Sequence, residues 1–350
     1  MTTVPPFRSD NIAGACTEVI EAIAKTNSGV EHAYGGDALS AALDETMSRL
    51  FERRCWCFPV GTGTAANALA LAAVSGPETL IACHERAHIL CNEDAAVELI
   101  SPSARLVPLP GDAGRISPGA LDTFARRHSG NGRWAALSLT QLTEAGTVYG
   151  LDQTAALAGA ARRAGARVHM DGARFANAAV ALGATPADVT WRAGVDVLSL
   201  GATKNGSLNA DAVVAFDEGL SNRIRANLRR TGQLYSKMRF MAAQLLTLFE
   251  GDLWISNARH ANSMARRLAD SLSGCHGVEI VHSVNGNHVF LRLEEAVAAG
   301  LERTGMMPWR SGTDERGRPI YRLVTSFATE ADEVDRFAAA LRGPEHPNRR

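Results

Sequence analysis

The chain has 350 residues, 46% hydrophobic and 21% charged, which is the balance of a globular protein with a sizeable core and excludes a disordered chain. Its 36 Lys and Arg against 37 Asp and Glu give a net charge of −1, so the totals hold no basic surplus of the kind that gathers nucleic acid. Mean hydropathy is −0.07 and no apolar run approaches the ~18 residues of a membrane span, which argues against a membrane protein.

The opening MTTVPPFRSD lacks the charged-then-apolar layout of a secretory signal, so the expected compartment is the cytoplasm. Residues 12–53 read as helix, turn, helix. Ala38 to Phe51 carries apolar residues at helical spacing, and Tyr34-Gly35-Gly36-Asp37 supplies the turn. From residue 55 short β-rich runs alternate with helical ones: 55–60, 79–82, 105–108, 135–140, 167–170, 195–200 and 212–216, with helices from Thr64 and Asp152. That alternation predicts an α/β fold, a mainly parallel sheet flanked by helices. Helical stretches follow over 219–248 and 255–273. The remainder (278–282, 287–293, a helix from Glu294, 320–326, a helix from Glu330) reads as a smaller α+β C-terminal domain. The expected boundary falls near residue 250, giving units 1–250 and 251–345, with a polar tail over 346–350 expected to fray. The six cysteines (Cys16, Cys55, Cys57, Cys83, Cys91, Cys275) are too sparse for a disulfide scaffold and are expected as reduced core thiols. Cys55-Trp56-Cys57 alternates like a strand and lacks the second pair that zinc requires, so no metal site is expected.

Three segments are placed for chemistry. Gly61-Thr62-Gly63-Thr64-Ala65-Ala66-Asn67 follows a strand and opens a helix, whose free N–H groups and dipole suit a phosphate. The same letters read as a dinucleotide fingerprint with Glu85 as ribose ligand, or simply as a turn with a Thr cap. His169-Met170-Asp171-Gly172-Ala173-Arg174 puts a carboxylate at the end of a strand, where it can hold a pyridine-type nitrogen protonated or cap a helix. Ser199-Leu200-Gly201-Ala202-Thr203-Lys204-Asn205-Gly206 puts a lysine among small residues at another strand end, where a desolvated amine can condense with an aldehyde. Together, phosphate cup, aspartate and lysine suit a phosphorylated pyridine aldehyde, pyridoxal 5′-phosphate. A nucleotide-linked oxidoreductase needs neither the aspartate nor the lysine.

The chain resembles the L-threonine aldolase branch of the pyridoxal-phosphate-dependent β-eliminating lyase superfamily, with the type I (aspartate aminotransferase) fold. The resemblance runs nearly end to end. It is carried by Phe7-Arg8-Ser9-Asp10-Asn11, Ala33-Tyr34-Gly35, Gly63 to Asn67, Ala87-His88, Thr143-Glu144-Ala145-Gly146-Thr147-Val148-Tyr149, His169 to Arg174, Gly201 to Gly206 and Arg322-Leu323-Val324-Thr325. Thr203-Lys204-Asn205-Gly206 with Ser236-Lys237-Met238-Arg239 is most similar to the low-specificity threonine/phenylserine aldolases. The resemblance implies cleavage of L-β-hydroxy-α-amino acids to glycine and an aldehyde; another lyase or an aminotransferase is the alternative within this chemistry. It implies that Lys204 is the Schiff-base lysine and that Asp171 pairs with the pyridine nitrogen. Gly63 and Thr64 would hold the phosphate with Thr203 nearby, and His88 would stack on the ring near the substrate hydroxyl. Ser9, Tyr34, Arg174 and Arg322 would serve the substrate side, with Arg174 alternatively a salt-bridge partner of Asp171. Arg230 and Lys237 would reach a neighbouring subunit's cofactor in a homodimer or homotetramer with shared active sites. His128 and Glu144 are further candidates for proton transfer. Leu90-Cys91-Asn92 and Asp94-Ala95-Ala96 depart from the family pattern, which leaves the aldehyde preference open.

Overall fold

The computed structural model describes residues 7–128, 130 and 132–342; the tail expected to fray lies outside them. Seven strands form the large sheet: β1 (Trp56–Val60), β2 (Leu80–His84), β3 (Arg105–Leu109), β4 (Trp134–Thr140), β5 (Arg167–Gly172), β6 (Val197–Leu200) and β7 (Asp211–Ala215). Their order is β1-β7-β6-β5-β4-β2-β3. The pairs among β2 to β6 are parallel, and β7 runs antiparallel to both β1 and β6. Every strand expected from residues 55–216 is present, shifted by a residue or two. Each is legible for one reason: a strand covered on both faces is apolar throughout. Leu198, Leu200 and Val214 pack into one core with the helices Ala38–Leu50 and Arg239–Phe249, while their neighbours Val197 and Val213 pack into the other with Gly63–Val74 and Glu218–Arg230. Burial of each such side chain is worth roughly 2 kcal/mol.

The second sheet is antiparallel, in the order β10-β11-β9-β8, from β8 (Val278–Ile280), β9 (His288–Leu293), β10 (Trp309–Thr313) and β11 (Pro319–Val324). Leu268, Val289, Leu291, Leu323 and Phe337 fill its core. Two segments tie it to the large sheet. The helix Leu253–Leu272 bonds Phe175–Leu182 through Asn262, which exchanges hydrogen bonds with Asn177. Near the start of the chain, Phe7 accepts from the Val324 N–H at 2.8 Å and sets its ring edge-on to Phe337.

The structure departs from the sequence reading in three places. The stretch 219–248 is two helices, Glu218–Arg230 and Arg239–Phe249. The first ends at Thr231, where Gly232 takes a positive φ of 69° that continues no helix. Strand β10 was not expected: its sequence Trp-Arg-Ser-Gly-Thr lacks apolar alternation because it is an exposed edge, with a register shift between Arg310 and Gly312. Four cysteines are buried, but Cys91 is exposed and Cys275 half-buried; all six are free thiols. Among the described residues, no helix is long and apolar enough to cross a membrane.

Candidate active site

The carboxyl ends of β4, β5 and β6 open onto a cavity of about 330 Å³, in the range of small-ligand pockets. The sequence builds its walls in three steps. After β1, Thr62 caps the helix Gly63–Val74, its Oγ1 accepting from Ala65 N–H at 3.1 Å. The first N–H groups of this helix have no intrahelical partner, and Gly63 and Thr64 line the cavity. A side chain on Gly63 would meet nothing closer than Asp211 Oδ2 at 3.9 Å, so the helix start is open to a ligand.

Near the end of β5, Asp171 is 3% exposed. Its Oδ1 accepts from Ala173 N–H and its Oδ2 from Asn67 Nδ2, each at 3.0 Å. Beneath it, His169 bridges Ser138 and Ser199 at 2.9 Å on each ring nitrogen, and burial lowers its pKa to about 4 despite Asp171, so it is neutral and structural. After β6, Gly201 lies flat on Ala173, and the turn Thr203–Asn205 is fixed by Asp211 Oδ1, which accepts from Ala202 N–H at 2.7 Å and Thr203 N–H at 2.9 Å. This turn presents Lys204 to the cavity. Burial, then repulsion from Arg174, lowers the lysine pKa, against the attraction of Asp10, Asp171 and Asp211. Gly201→Ala should test how tightly this wall is built. The added Cβ would lie 2.4 Å from Ala173 O and 2.6 Å from Ala173 Cα, and backbone must move to admit it. A loss of about 1–3 kcal/mol is expected, read as a lower urea midpoint at unchanged slope.

A chain of hydrogen bonds crosses the cavity floor. Asn67 Nδ2 donates to Asp171 and, at 2.8 Å, to Glu93 Oε1; the same oxygen meets His88 Nδ1 at 2.8 Å. Glu93 is wholly buried while His88 is half exposed, so the imidazole is oriented from below and keeps Nε2 free. At the far end Arg174 grips Asp10 through Nε at 2.7 Å and Nη2 at 2.9 Å. Burial alone would raise the Asp10 pKa, and the guanidinium reverses this, holding it well below the usual carboxylate range. Asp10 also accepts from Asn287 at 3.0 Å. Nearby Arg322 keeps a buried Nε without a partner, and its pKa is lowered by burial and by Arg174.

Of the residues singled out in the sequence, the cavity gathers Gly63, Thr64, His88, Glu144, Asp171, Arg174, Thr203 and Lys204. Arg322 stands close enough to Arg174 and Asp10 to feel their charges. Arg174 pairs with Asp10, not with Asp171. Ser9 is outside the lining, its Oγ accepting from the N–H of Asn11, which does line it. Tyr34, Arg230 and Lys237 are exposed on this chain and do not line the cavity. Tyr34 N–H bonds Ser236 O at 3.0 Å, and Tyr235 of that segment stands over Gly61. His128 ends the helix Pro118–His128 against Phe124, apart from the cavity. Glu85 is exposed beyond β2, and β1 is an edge strand beside an antiparallel neighbour, so a dinucleotide site has neither its ribose ligand nor its central strand. Sequence reasoning passed over Asp10, Asn67, Glu93 and Asp211. The first two lay inside quoted motifs; nothing local marked the others.

Residues 6–313 of the chain match the Beta-eliminating lyase family. The chain is 37% identical to the low specificity L-threonine aldolase of Pseudomonas aeruginosa over 338 residues, 96% of each protein. It is 36% identical to the low specificity L-threonine aldolase of a Pseudomonas species, again over 96% of each. Among solved structures it is similar to a threonine aldolase of Leishmania major, with a TM-score of 0.89 at 24% identity over 97% of this chain and 99% of that one. That likeness shows the fold.

Proposed function

Because the chain belongs to the beta-eliminating lyase family, we propose that it cleaves L-β-hydroxy-α-amino acids (L-threonine, L-allo-threonine and phenylserine) to glycine and an aldehyde, with pyridoxal 5′-phosphate as cofactor. The observation that carries the reading is that Asp171 and Lys204 face one cavity that an open helix start also lines. The donor set fits the cofactor. Thr203 Oγ1 is buried without a hydrogen-bond partner beside that helix start, as a hydroxyl waiting for an acceptor would be. Gly63 and Thr64 would hold the phosphate with Thr203, Asp171 the pyridine nitrogen, and Lys204 the aldehyde carbon.

When bound, pyridoxal 5′-phosphate supplies a carbonyl for amines to condense with and a ring that draws electrons away from a bond broken at the α-carbon. The chain supplies the rest. Arg322, with its unpartnered Nε, binds the substrate carboxylate, and Arg174 adds positive charge from its Asp10-anchored position. Ser9 lies one residue before that anchor. Asp171 would present its carboxyl group to the ring nitrogen. His88 covers the cavity from the Glu93 side.

The same reading divides the chain at residue 250, and makes it a homodimer or homotetramer of the cytoplasm. Tyr34, Arg230 and Lys237, exposed here, would then face a neighbouring copy's site.

The test is to supply L-threonine and L-allo-threonine to the cofactor-loaded protein without any keto acid. Acetaldehyde and glycine should appear in equal amounts. Release of 2-oxobutyrate with ammonia would make the enzyme a dehydratase. Turnover only with added keto acid would make it an aminotransferase.

A further inference from the structure

Glu144 is held in place more firmly than a surface-loop residue needs to be. Its turn is closed by Thr143 and Thr147, whose hydroxyls meet at 2.9 Å and both donate to or approach Ala113 O. Gln141 and Tyr149 exchange two hydrogen bonds across the base of the turn, at 2.9 and 3.0 Å. One carboxylate oxygen, Oε1, accepts from the His88 backbone N–H at 2.8 Å. The other, Oε2, is out of contact with solvent and meets no donor in hydrogen-bonding geometry, although the Thr140 hydroxyl is near the group and the residue lines the cavity with His88, Asp171 and Lys204. A buried acceptor left without a donor is costly.

The charges around it come from every side. Asp171 faces it from β5, His88 and Glu93 from the segment after β2, and Lys204 and Arg174 from across the cavity. Behind it are Cys83 of β2, whose pKa burial pushes up to about 12, and Tyr149, also pushed up by burial; both are neutral at pH 7. Burial first and the Asp171 charge second raise the Glu144 pKa to about 7, against the opposing pull of the His88 N–H and the Thr140 hydroxyl. A carboxyl so placed takes and returns a proton near neutrality.

We propose that Glu144 is the catalytic base that takes the β-hydroxyl proton, with His88 a positioning residue; the proposal rests on the aldolase reading above. The Glu144 carboxylate receives the proton. The O–H electron pair becomes the second bond of the aldehyde carbonyl. The Cα–Cβ bond breaks, its pair remains with Cα, Cα takes up one proton from solvent to become glycine, and Glu144 gives its proton up to solvent, so no net proton is gained or lost. His88 keeps Nε2 free while Nδ1 is held by Glu93, which is bonded in turn to Asn67, so a His88 variant is measured beside the Glu144 one.

Two measurements test this. Infrared difference spectra of the protein without added cofactor, wild type against Glu144→Gln, should show a protonated-carboxyl band that disappears with a midpoint near pH 7. In the loaded enzyme, kcat for L-threonine should rise through a limb near pH 7. Glu144→Gln should abolish that limb and lower kcat by about a hundredfold with KM little changed. Glu144→Asp should recover part of the rate. The proposal is overturned if Glu144→Gln keeps the wild-type kcat and limb, if the band is absent, or if the limb vanishes in His88→Asn and survives in Glu144→Gln. A wild type that forms no aldehyde from threonine would remove the aldolase reading itself, and the proposal with it.

Discussion

Lys204→Ala is expected to lose at least about a thousandfold in turnover, roughly 4 kcal/mol of barrier, and to remain folded. The first expectation follows from position: Lys204 is the lysine that lines the cavity, on a turn that Asp211 fixes from below. The second follows from the sign of its titration. Burial and Arg174 lower the lysine pKa, so the unfolded chain holds this proton more firmly than the folded one. Below the unfolded pKa near 10.4 the buried ammonium therefore costs stability, and the cost fades as pH rises. Without cofactor, Lys204→Ala should melt at or above the wild-type temperature at pH 7, with the difference narrowing towards pH 10. The loaded wild type should absorb visible light and lose that colour to borohydride, and the variant should not. Near-normal turnover in the variant would remove the central assignment.

Asp171→Asn should lower kcat by well over tenfold, more than about 1.4 kcal/mol of barrier. The amide carries no charge to hold a proton on the ring nitrogen. It also disturbs the floor of the site. Both oxygens of Asp171 accept, from Ala173 N–H and from Asn67 Nδ2. An Asn there must turn an NH2 towards one of these donors. Asn67 cannot flip in response, because its Nδ2 also serves Glu93. The conflict should cost about 1–3 kcal/mol of stability. Denaturant midpoints measured alongside kcat separate the two effects. A fall in kcat of less than tenfold would withdraw the ring-nitrogen role.

The strands of the large sheet were legible because coverage on both faces leaves a continuous apolar run, and β10 was not because an exposed edge needs none. Asp171 and Lys204 were legible because each ends such a run, and strand ends of open α/β sheets face the ligand crevice. Their supports were not. Asp10 reaches Arg174 across 164 positions, and Asn67 reaches Asp171 across 104. Local pattern carries no information about contacts of that span. Glu144 shows the limit from the other direction: its letter was in view, but its raised pKa belongs to the burial and the Asp171 charge that only the folded chain supplies.

The contacts of Phe7 and Asp10 bear on how such enzymes can be recombined. A crossover at residue 250 would inherit the second sheet from one parent and these two residues from the other. Yet Phe7 is seated on β11 and Phe337, and Asp10 joins Asn287, just before β9, to Arg174 on the large-sheet side. The heritable block is therefore discontinuous. Residues 7–10 must travel with the C-terminal sheet, or be rematched to it, for a chimera to rebuild the contacts of Asp10 with Arg174 and Asn287.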